Sequence, residues 1–369
     1  MDISFLPKAR FAAFSLGSFF SRKPESYVGI DIGAFSTKAL ELKYASGRAI
    51  LQTYGELRNE TYFKTTNARG VGILRYADND LAQLLKDLTR EAHVTAKDAV
   101  CSVPATSSFV VAIPFPRLAP RELASAIPLE ARKYIPIPLS EVVLEWTVLD
   151  GGEDRDIVEV LLVAVQREVV EKFKRITALA GLRLAALEVE TFSMVRSLIG
   201  HDPIPEAIIN IGYQVTTLAI VDRGQLRISH NLDRGAHELT RALERGLGIN
   251  TERAEALKRD VGMSDDLEKR EVSSIITPHI DSLFTQMEQL IRVYNRKSSR
   301  KIQKINLTGG GANLKGMVEA AASRFGVETA KGNPFARVIA PAFMQMVFRE
   351  IGPSFSVAIG LALREIASR

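Results

Sequence analysis

The sequence predicts an α/β protein made of one half that occurs twice, with a small α+β unit set into the first copy. Two observations carry this prediction. A strand–turn–strand pattern recurs at one constant offset, and the stretch between the copies has a different texture. The 369-residue length leaves room for two or three cores.

The first copy opens at 27–33, a short apolar run closed by Gly33. The polar stretch 34–38 follows, then an alternating run at 39–42, which together read as a hairpin. Residues 207–212, 213–217 and 218–221 repeat the order. Asp31 aligns with Asn210, Gly33 with Gly212 and Thr37 with Thr216, with no gap inside the repeat. The period is too long for a solenoid and fits a duplicated domain. Apolar–Asp/Asn–apolar–Gly also opens unrelated hairpins, so this pattern alone leaves both readings open.

Between the copies, 110–118 reads as a strand broken by Pro114 and Pro116. Residues 120–134 have helical spacing, with Leu123, Ile127 and Ala131 four apart, and Pro136 and Pro138 end that helix. Strands at 142–149 and 157–165 flank the turn 150–154, and a helix at 168–180 stops at Gly181. In the second half, 236–248 is helical, and a further helix starts with Thr251 as its cap. A long amphipathic helix covers 273–296. A strand at 304–307 runs into Thr308-Gly309-Gly310-Gly311-Ala312-Asn313, and helices at 319–325 and 355–366 close the chain.

Composition narrows the function. Forty-six per cent apolar and 25% charged residues exclude a disordered, collagen-like or coiled-coil chain. A net charge of +5 is too dilute for a nucleic-acid tail and suits an acidic small ligand or an anionic surface. Cys101 is the only cysteine, so no intrachain disulfide or cysteine metal site forms, and its apolar run makes it a buried small hydrophobe. The five histidines lack ligand spacing. No stretch reads as long enough to span a bilayer. Residues 11–20 are apolar and flanked by Lys8, Arg10, Arg22 and Lys23. That fits either a flexible tail or an interfacial anchor, and the default compartment is the cytoplasm.

Residues 33–38 can aim backbone N–H groups, two hydroxyls and the Lys38 ammonium at one point, a nest suited to phosphate. Asp31 can hold Mg²⁺ through water. A Ser/Thr turn with a solvated lysine is the plainer reading. Gly309, Gly310 and Gly311 let backbone approach a planar or anionic ligand, as any flexible loop would. Glu255 and Lys258, three apart on a helix, form either a surface ion pair or a clamp on a ribose or purine edge. No G-x-x-x-x-G-K-[ST] motif occurs, which argues against a P-loop enzyme.

Two phosphate-type hairpins, a Glu-x-x-Lys helix and a strand–triple-glycine–helix together resemble the actin-like ATPase superfamily. That resemblance implies duplicated ribonuclease H-like domains flanking a nucleotide cleft that takes ATP and Mg²⁺. It places Gly33, Ala34, Phe35, Ser36, Thr37 and Lys38 at the phosphates, with Asp31 behind the metal. Asn210, Gly212 and Thr216 make the second phosphate loop, joined by Gly235. Gly309, Gly310, Gly311 and Asn313 lie at adenosine, and the Glu255–Lys258 helix resembles the ribose and adenine clamp of DnaK-type chaperones.

The insert resembles that of FtsA and its relatives. The block 131–143, with Tyr134-Ile135-Pro136-Ile137-Pro138-Leu139, is similar to the PilM family of type IV pilus assembly, as are 114–118 and 356–362. The implied organisation begins with an N-terminal segment at 1–26. A first actin-like subdomain at 27–108 is completed by 181–203 and 355–369, and the FtsA-type insert spans 109–180. A second subdomain comprises 204–236 and 303–354, with a helical nucleotide-capping subdomain at 237–302. The family implies a cytoplasmic platform, peripheral at the inner membrane, that takes the N-terminal tail of PilN and links the PilO/PilN complex to the motor ATPases. Self-association and membrane contact through residues 1–23 are further expectations. An FtsA-like division tether and a type II secretion homologue are the alternatives. Asn210 cannot act as a carboxylate base and no catalytic carboxylate is evident, so ATP hydrolysis is expected to be slow or absent.

Overall fold

A computed structural model describes residue 6 and residues 25–59, 62–63, 72–149, 156–200, 203–264, 266 and 269–366. The apolar stretch 11–20 lies outside the described residues. The contacts divide the chain into two compact units. One comprises Met1–Ser197, Phe335–Pro341 and Val357–Arg369; the other comprises Leu198–Pro334 and Ala342–Ser356.

The first unit contains β1 (Ser26–Ile32), β2 (Ser36–Ala45), β3 (Arg48–Arg58), α1 (Asp78–Glu91) and β4 (Asp98–Val103). Next come β5 (Ser108–Pro116), α2 (Pro120–Ala131), β6 (Val142–Leu149), β7 (Ile157–Gln166) and α3 (Arg167–Leu179). The strand β8 (Arg183–Val189) and α4 (Glu190–Leu198) follow. The second unit contains β9 (Glu206–Ile211), β10 (Thr216–Asp222), β11 (Gln225–Leu232), α5 (Ala236–Leu247), α6 (Thr251–Val261) and α7 (Arg270–Lys297). It continues with β12 (Lys304–Thr308), α8 (Met317–Phe325) and β13 (Glu328–Lys331); the last helix is α9 (Gln345–Ile366).

The duplication is visible in topology. One sheet runs β3-β2-β1-β4-β8 and the other β11-β10-β9-β12-β13. In each, an antiparallel hairpin leads into a parallel neighbour, β1 with β4 and β9 with β12. Register matches too. Asp31 lies opposite Lys38 and Ile32 opposite Thr37. Asn210 lies opposite Thr217 and Ile211 opposite Thr216. Two unrelated hairpins would not share sheet order and register across five strands, so the repeat is structural.

Apolar patterning places the cores. In α7, Ile276, Ile280, Leu283, Met287 and Ile291 recur at helical spacing and are buried with Ile209, Leu218 and Leu307 of the second sheet. The inserted sheet, ordered β5-β7-β6, buries Val160, Leu162 and Ala164 of β7 under Leu123, Ile127 and Ala131 of α2. Beside the first sheet, Lys172 of α3 sends its ammonium to Asp78 Oδ1 of α1 at 2.6 Å, and Arg175 Nε reaches Asp78 Oδ2 at 2.6 Å.

In the first unit, β1 and α9 approach at backbone distance. A Cβ on Gly29 would sit 2.1 Å from the Ala358 carbonyl oxygen, and one on Gly360 would sit 1.9 Å from that of Ser193.

Four expectations are corrected. Pro114 and Pro116 do not break their strand: β5 is an edge strand, where a residue without an N–H costs no interior ladder bond. The cap of α6 is Asn250, whose side chain accepts the Arg253 N–H at 3.0 Å, and Thr251 is already helical. The last helix starts at Gln345, so Pro353 lies inside it. Among the described residues one apolar stretch, Ala342–Ile366, has the length and composition to cross a membrane, yet 67% of its apolar window is buried within the protein, as for a core helix.

Candidate functional site

The first hairpin is built around its turn. The Gly33 N–H donates to the Ser36 carbonyl at 3.1 Å. Asn59 staples the other side: its Nδ2 donates to the Gly33 carbonyl at 2.8 Å, and its Oδ1 accepts the Thr37 hydroxyl at 2.9 Å. Ala34 is exposed at the tip, and the Arg58 guanidinium lies 5.4 Å from the centre of the Phe35 ring. Ser36, Thr37 and Lys38 belong to β2 rather than to the turn.

Lys38 is only 8% exposed, which rules out the solvated-lysine reading. Its ammonium donates to Ser36 Oγ at 2.8 Å and lies 3.4 Å from Glu56 Oε1, while Ser36 Oγ donates to Glu56 at 2.5 Å. Asp31, directly across the ladder from Lys38, accepts the Ser102 hydroxyl at 2.8 Å. Burial raises its carboxyl above the usual range, and Lys38 and Ser102 offset that only in part.

A second carboxylate belongs to this group and was missed in the sequence. Glu190, the first residue of α4, accepts the Ala105 N–H at 3.2 Å, and burial and the Asp31 charge push its carboxyl up to about 7. Glu188, two residues earlier, is a contrast. Burial opposes its charge as well, but Arg196 at 2.6 Å and Arg364 at 3.2 Å hold it below the usual range. Glu190 is thus a carboxyl that the sequence did not single out, with a proton affinity raised where that of Glu188 is lowered. The one local signal was a glutamate where an apolar strand turns into a helix. Its approach to Asp31 is made by the β1–β4–β8 pairing, which no local pattern reports.

The second hairpin repeats the backbone and drops the charge. The Gly212 N–H donates to the Val215 carbonyl at 3.0 Å. Where Lys38 stands in the first copy, Thr217 donates its hydroxyl to Asn231 at 3.0 Å, and Thr216 donates to the Arg234 carbonyl at 2.7 Å. The N–H groups of Ala236 and His237 donate to the Gly212 and Tyr213 carbonyls, each at 2.9 Å, so this turn is tied to the start of α5. Those carbonyls crowd Gly235, where a Cβ would meet Tyr213 O at 2.5 Å.

The triple glycine divides by role. Gly309 has φ +80°, and its Cβ would meet Asn210 Oδ1 at 2.4 Å. A Cβ on Gly311 would meet Ile211 Cγ2 at 2.3 Å, whereas one on Gly310 would meet nothing within 4 Å. The first and third glycines let the loop lie on the second hairpin, and the middle one faces open space. Asn313 donates through Nδ2 to the Glu350 carbonyl at 2.8 Å, and its Oδ1 is buried without a hydrogen-bond partner.

Lys258 is 5% exposed, so its pair with Glu255, at 2.5 Å, is no surface ion pair. Its ammonium also donates to Thr240 Oγ1 at 2.9 Å and the Ala236 carbonyl at 3.2 Å, fastening α6 to α5. Burial opposes the Glu255 charge, but hydrogen bonds from Lys258, Arg259 and Thr240 hold its carboxyl below the usual range. Burial lowers the Lys258 ammonium, with Glu255 resisting.

The fit to a metal nucleotide is chemical. Two half-buried carboxyls with raised proton affinity, two hydroxyls and one ammonium form a hard-oxygen set with little positive charge of its own. Among the described residues no three His, Cys, Asp or Glu side chains form a metal cage.

Two equivalent sheets, two hairpins of one register and an inserted three-stranded unit define the actin-like ATPase fold. The sequence matches the family model of type IV pilus assembly protein PilM over residues 29–366, and the chain belongs to that family. Among solved structures it is similar to the PilM–PilN type IV pilus biogenesis complex, with 24% identity and a TM-score of 0.80, covering 94% of this chain and 99% of that one. MreB5 of Spiroplasma citri bound to AMPPNP shares the fold at 12% identity and a TM-score of 0.54, covering 92% of this chain and 95% of that one. The cell division protein FtsA of Streptococcus pneumoniae is 26% identical over 189 residues, 45% of this chain and 41% of that protein. The chain thus aligns with less than half the length of that curated relative.

Proposed function

We propose that the chain is an ATP-binding platform of type IV pilus assembly that takes the N-terminal tail of a PilN-type membrane protein. The observation that carries the nucleotide reading is the first hairpin, where a buried, hydroxyl-bonded lysine lies across from a carboxylate whose proton affinity is raised. A phosphate beside Lys38 adds the negative charge that its ammonium answers, and bound Mg²⁺ supplies positive charge for the phosphates. Asp31 is the residue to hold that ion through water, and Ser102 orients its carboxylate. Gly310 presents open backbone to the adenosine moiety.

Glu190 supplies a proton acceptor near neutral pH, so turnover, though slow, is expected to pass through it. Asn210 and Thr217 bring no charge to the second loop, which keeps that turnover low. Family membership supports the pilus role. In this reading the chain sits peripherally at the inner membrane, with the PilO/PilN complex and the motor ATPases as partners.

The test is calorimetric titration of the full chain with Mg-ATP, then with a PilN-type tail peptide, with and without nucleotide. Saturable binding of both, with a peptide affinity that changes when ATP is present, is the expected result. Absence of ATP binding would sink the nucleotide reading, and absence of peptide binding would sink the partner.

A further inference from the structure

The inserted sheet is covered on both faces, and only one cover is α2. Along β7, Val160, Leu162 and Ala164 face α2. The alternate residues Leu161, Val163 and Val165 point to the other face, yet they are 3%, 0% and 0% exposed. Glu145 of β6 lies directly opposite Val163 and so shares that second face. There its Oε2 accepts the backbone N–H of Leu6 at 3.1 Å, across 139 positions of sequence, and Leu6 is 9% exposed.

A backbone N–H on a carboxylate is a charge-assisted bond, and a buried leucine adds an apolar anchor. Together they give a short segment one polar and one apolar point of attachment on that face. The sequence around this residue, Ile3-Ser4-Phe5-Leu6-Pro7, is apolar and then turns basic at Lys8 and Arg10. We infer that the Glu145 face of the inserted sheet is a receptor for a short apolar peptide, and that its occupant is the chain's own N-terminal segment, docked in cis through Leu6. This goes beyond the nucleotide and partner reading and depends on neither. The N-terminal segment is then an internal competitor for any peptide that uses the same face.

Site-directed cross-linking in the full-length chain tests it. A Pro7→Cys/Thr147→Cys variant, which keeps both Leu6 and Glu145 and places its second cysteine opposite Leu161 on the same face, should link within one chain when treated with a short bis-maleimide. Its rate should exceed by about tenfold that of Pro7→Cys/Glu130→Cys, whose second cysteine lies on α2 over the opposite face, and it should not depend on protein concentration. Equal rates overturn the inference, and so do links formed only between chains, which would assign the face to a second copy. A second measurement uses the full-length Leu6→Asp variant and a labelled peptide of residues 1–10. The variant should bind that peptide about tenfold more tightly than the parent chain, because its own arm has left the face. Equal affinity for the two overturns the inference.

Discussion

Lys38 and Thr217 occupy the same place in two copies of one hairpin. Lys38 faces Asp31 across one ladder and Glu56 across the other. Thr217 faces Asn210 and Asn231 in the same two directions. Three charged side chains in the first copy are thus three neutral ones in the second, on a backbone whose turn hydrogen bonds differ by 0.1 Å, 3.1 Å for Gly33 against 3.0 Å for Gly212. The charge belongs to the first copy, and the second keeps the same backbone without it.

That asymmetry sets the first prediction. Lys38→Ala should weaken Mg-ATP binding about 10- to 100-fold, the equivalent of one hydrogen bond to a charged group. Thr217→Ala should leave it within about threefold, because a neutral hydrogen bond is lost on the uncharged copy. Calorimetric titration of both variants reads the difference, and equal losses would remove Lys38 from the phosphate site.

Glu190 gives the fold a pH signature. Its carboxyl is raised from the ordinary 4.5 to about 7, so from about pH 4.5 to 7 the folded state holds a proton that the unfolded state has released. Stability then falls as pH rises through that window and levels off above it. Glu190→Gln should flatten the fall and gain about 1–3 kcal/mol at pH 8. Denaturant titrations at pH 5 and pH 8 measure it. The same variant should lose whatever ATP turnover the parent chain shows.

Gly310 separates folding from binding. A methyl group there meets nothing in the protein, so Gly310→Ala should keep the melting temperature within a degree or two while lowering nucleotide affinity about tenfold. Gly311→Ala, which forces a Cβ onto Ile211, should instead cost about 1–3 kcal/mol of stability. Calorimetric scans beside nucleotide titrations distinguish the two.

The cap of α6 is a local test of how the second unit is built. Asn250→Ala should cost about 0.5–2 kcal/mol, and Thr251→Ala no more than a few tenths, because the bond to the Arg253 N–H comes from Asn250. Thermal unfolding of the two variants checks it.

Both hairpins, the inserted unit and the triple glycine were legible in the sequence because each is a short-range pattern of apolar period and turn residues. The long helix α7 was legible for the same reason: Ile276, Ile280, Leu283 and Met287 mark one face. Glu190 was not, since its proton affinity comes from burial and from Asp31, which only strand pairing brings near. Nor was the state of Lys258. A Glu-x-x-Lys spacing fits a solvated pair as well as a buried one, and Thr240 and the Ala236 carbonyl decide between them. The start of α9 was hidden by Pro353, a residue that reads as a boundary yet lies inside this helix.

The contacts of Gly29 and Gly360 bear on how this sequence can vary. At both, the obstacle is a backbone oxygen, from Ala358 and Ser193, which no rotamer change can move aside. Every codon one base away from glycine adds at least a Cβ or stops the chain. A saturation library of this gene should therefore show two nearly empty columns at these positions, and their silence would record the closeness of α9 to β1 at Gly29 and to α4 at Gly360 without any structure having been solved.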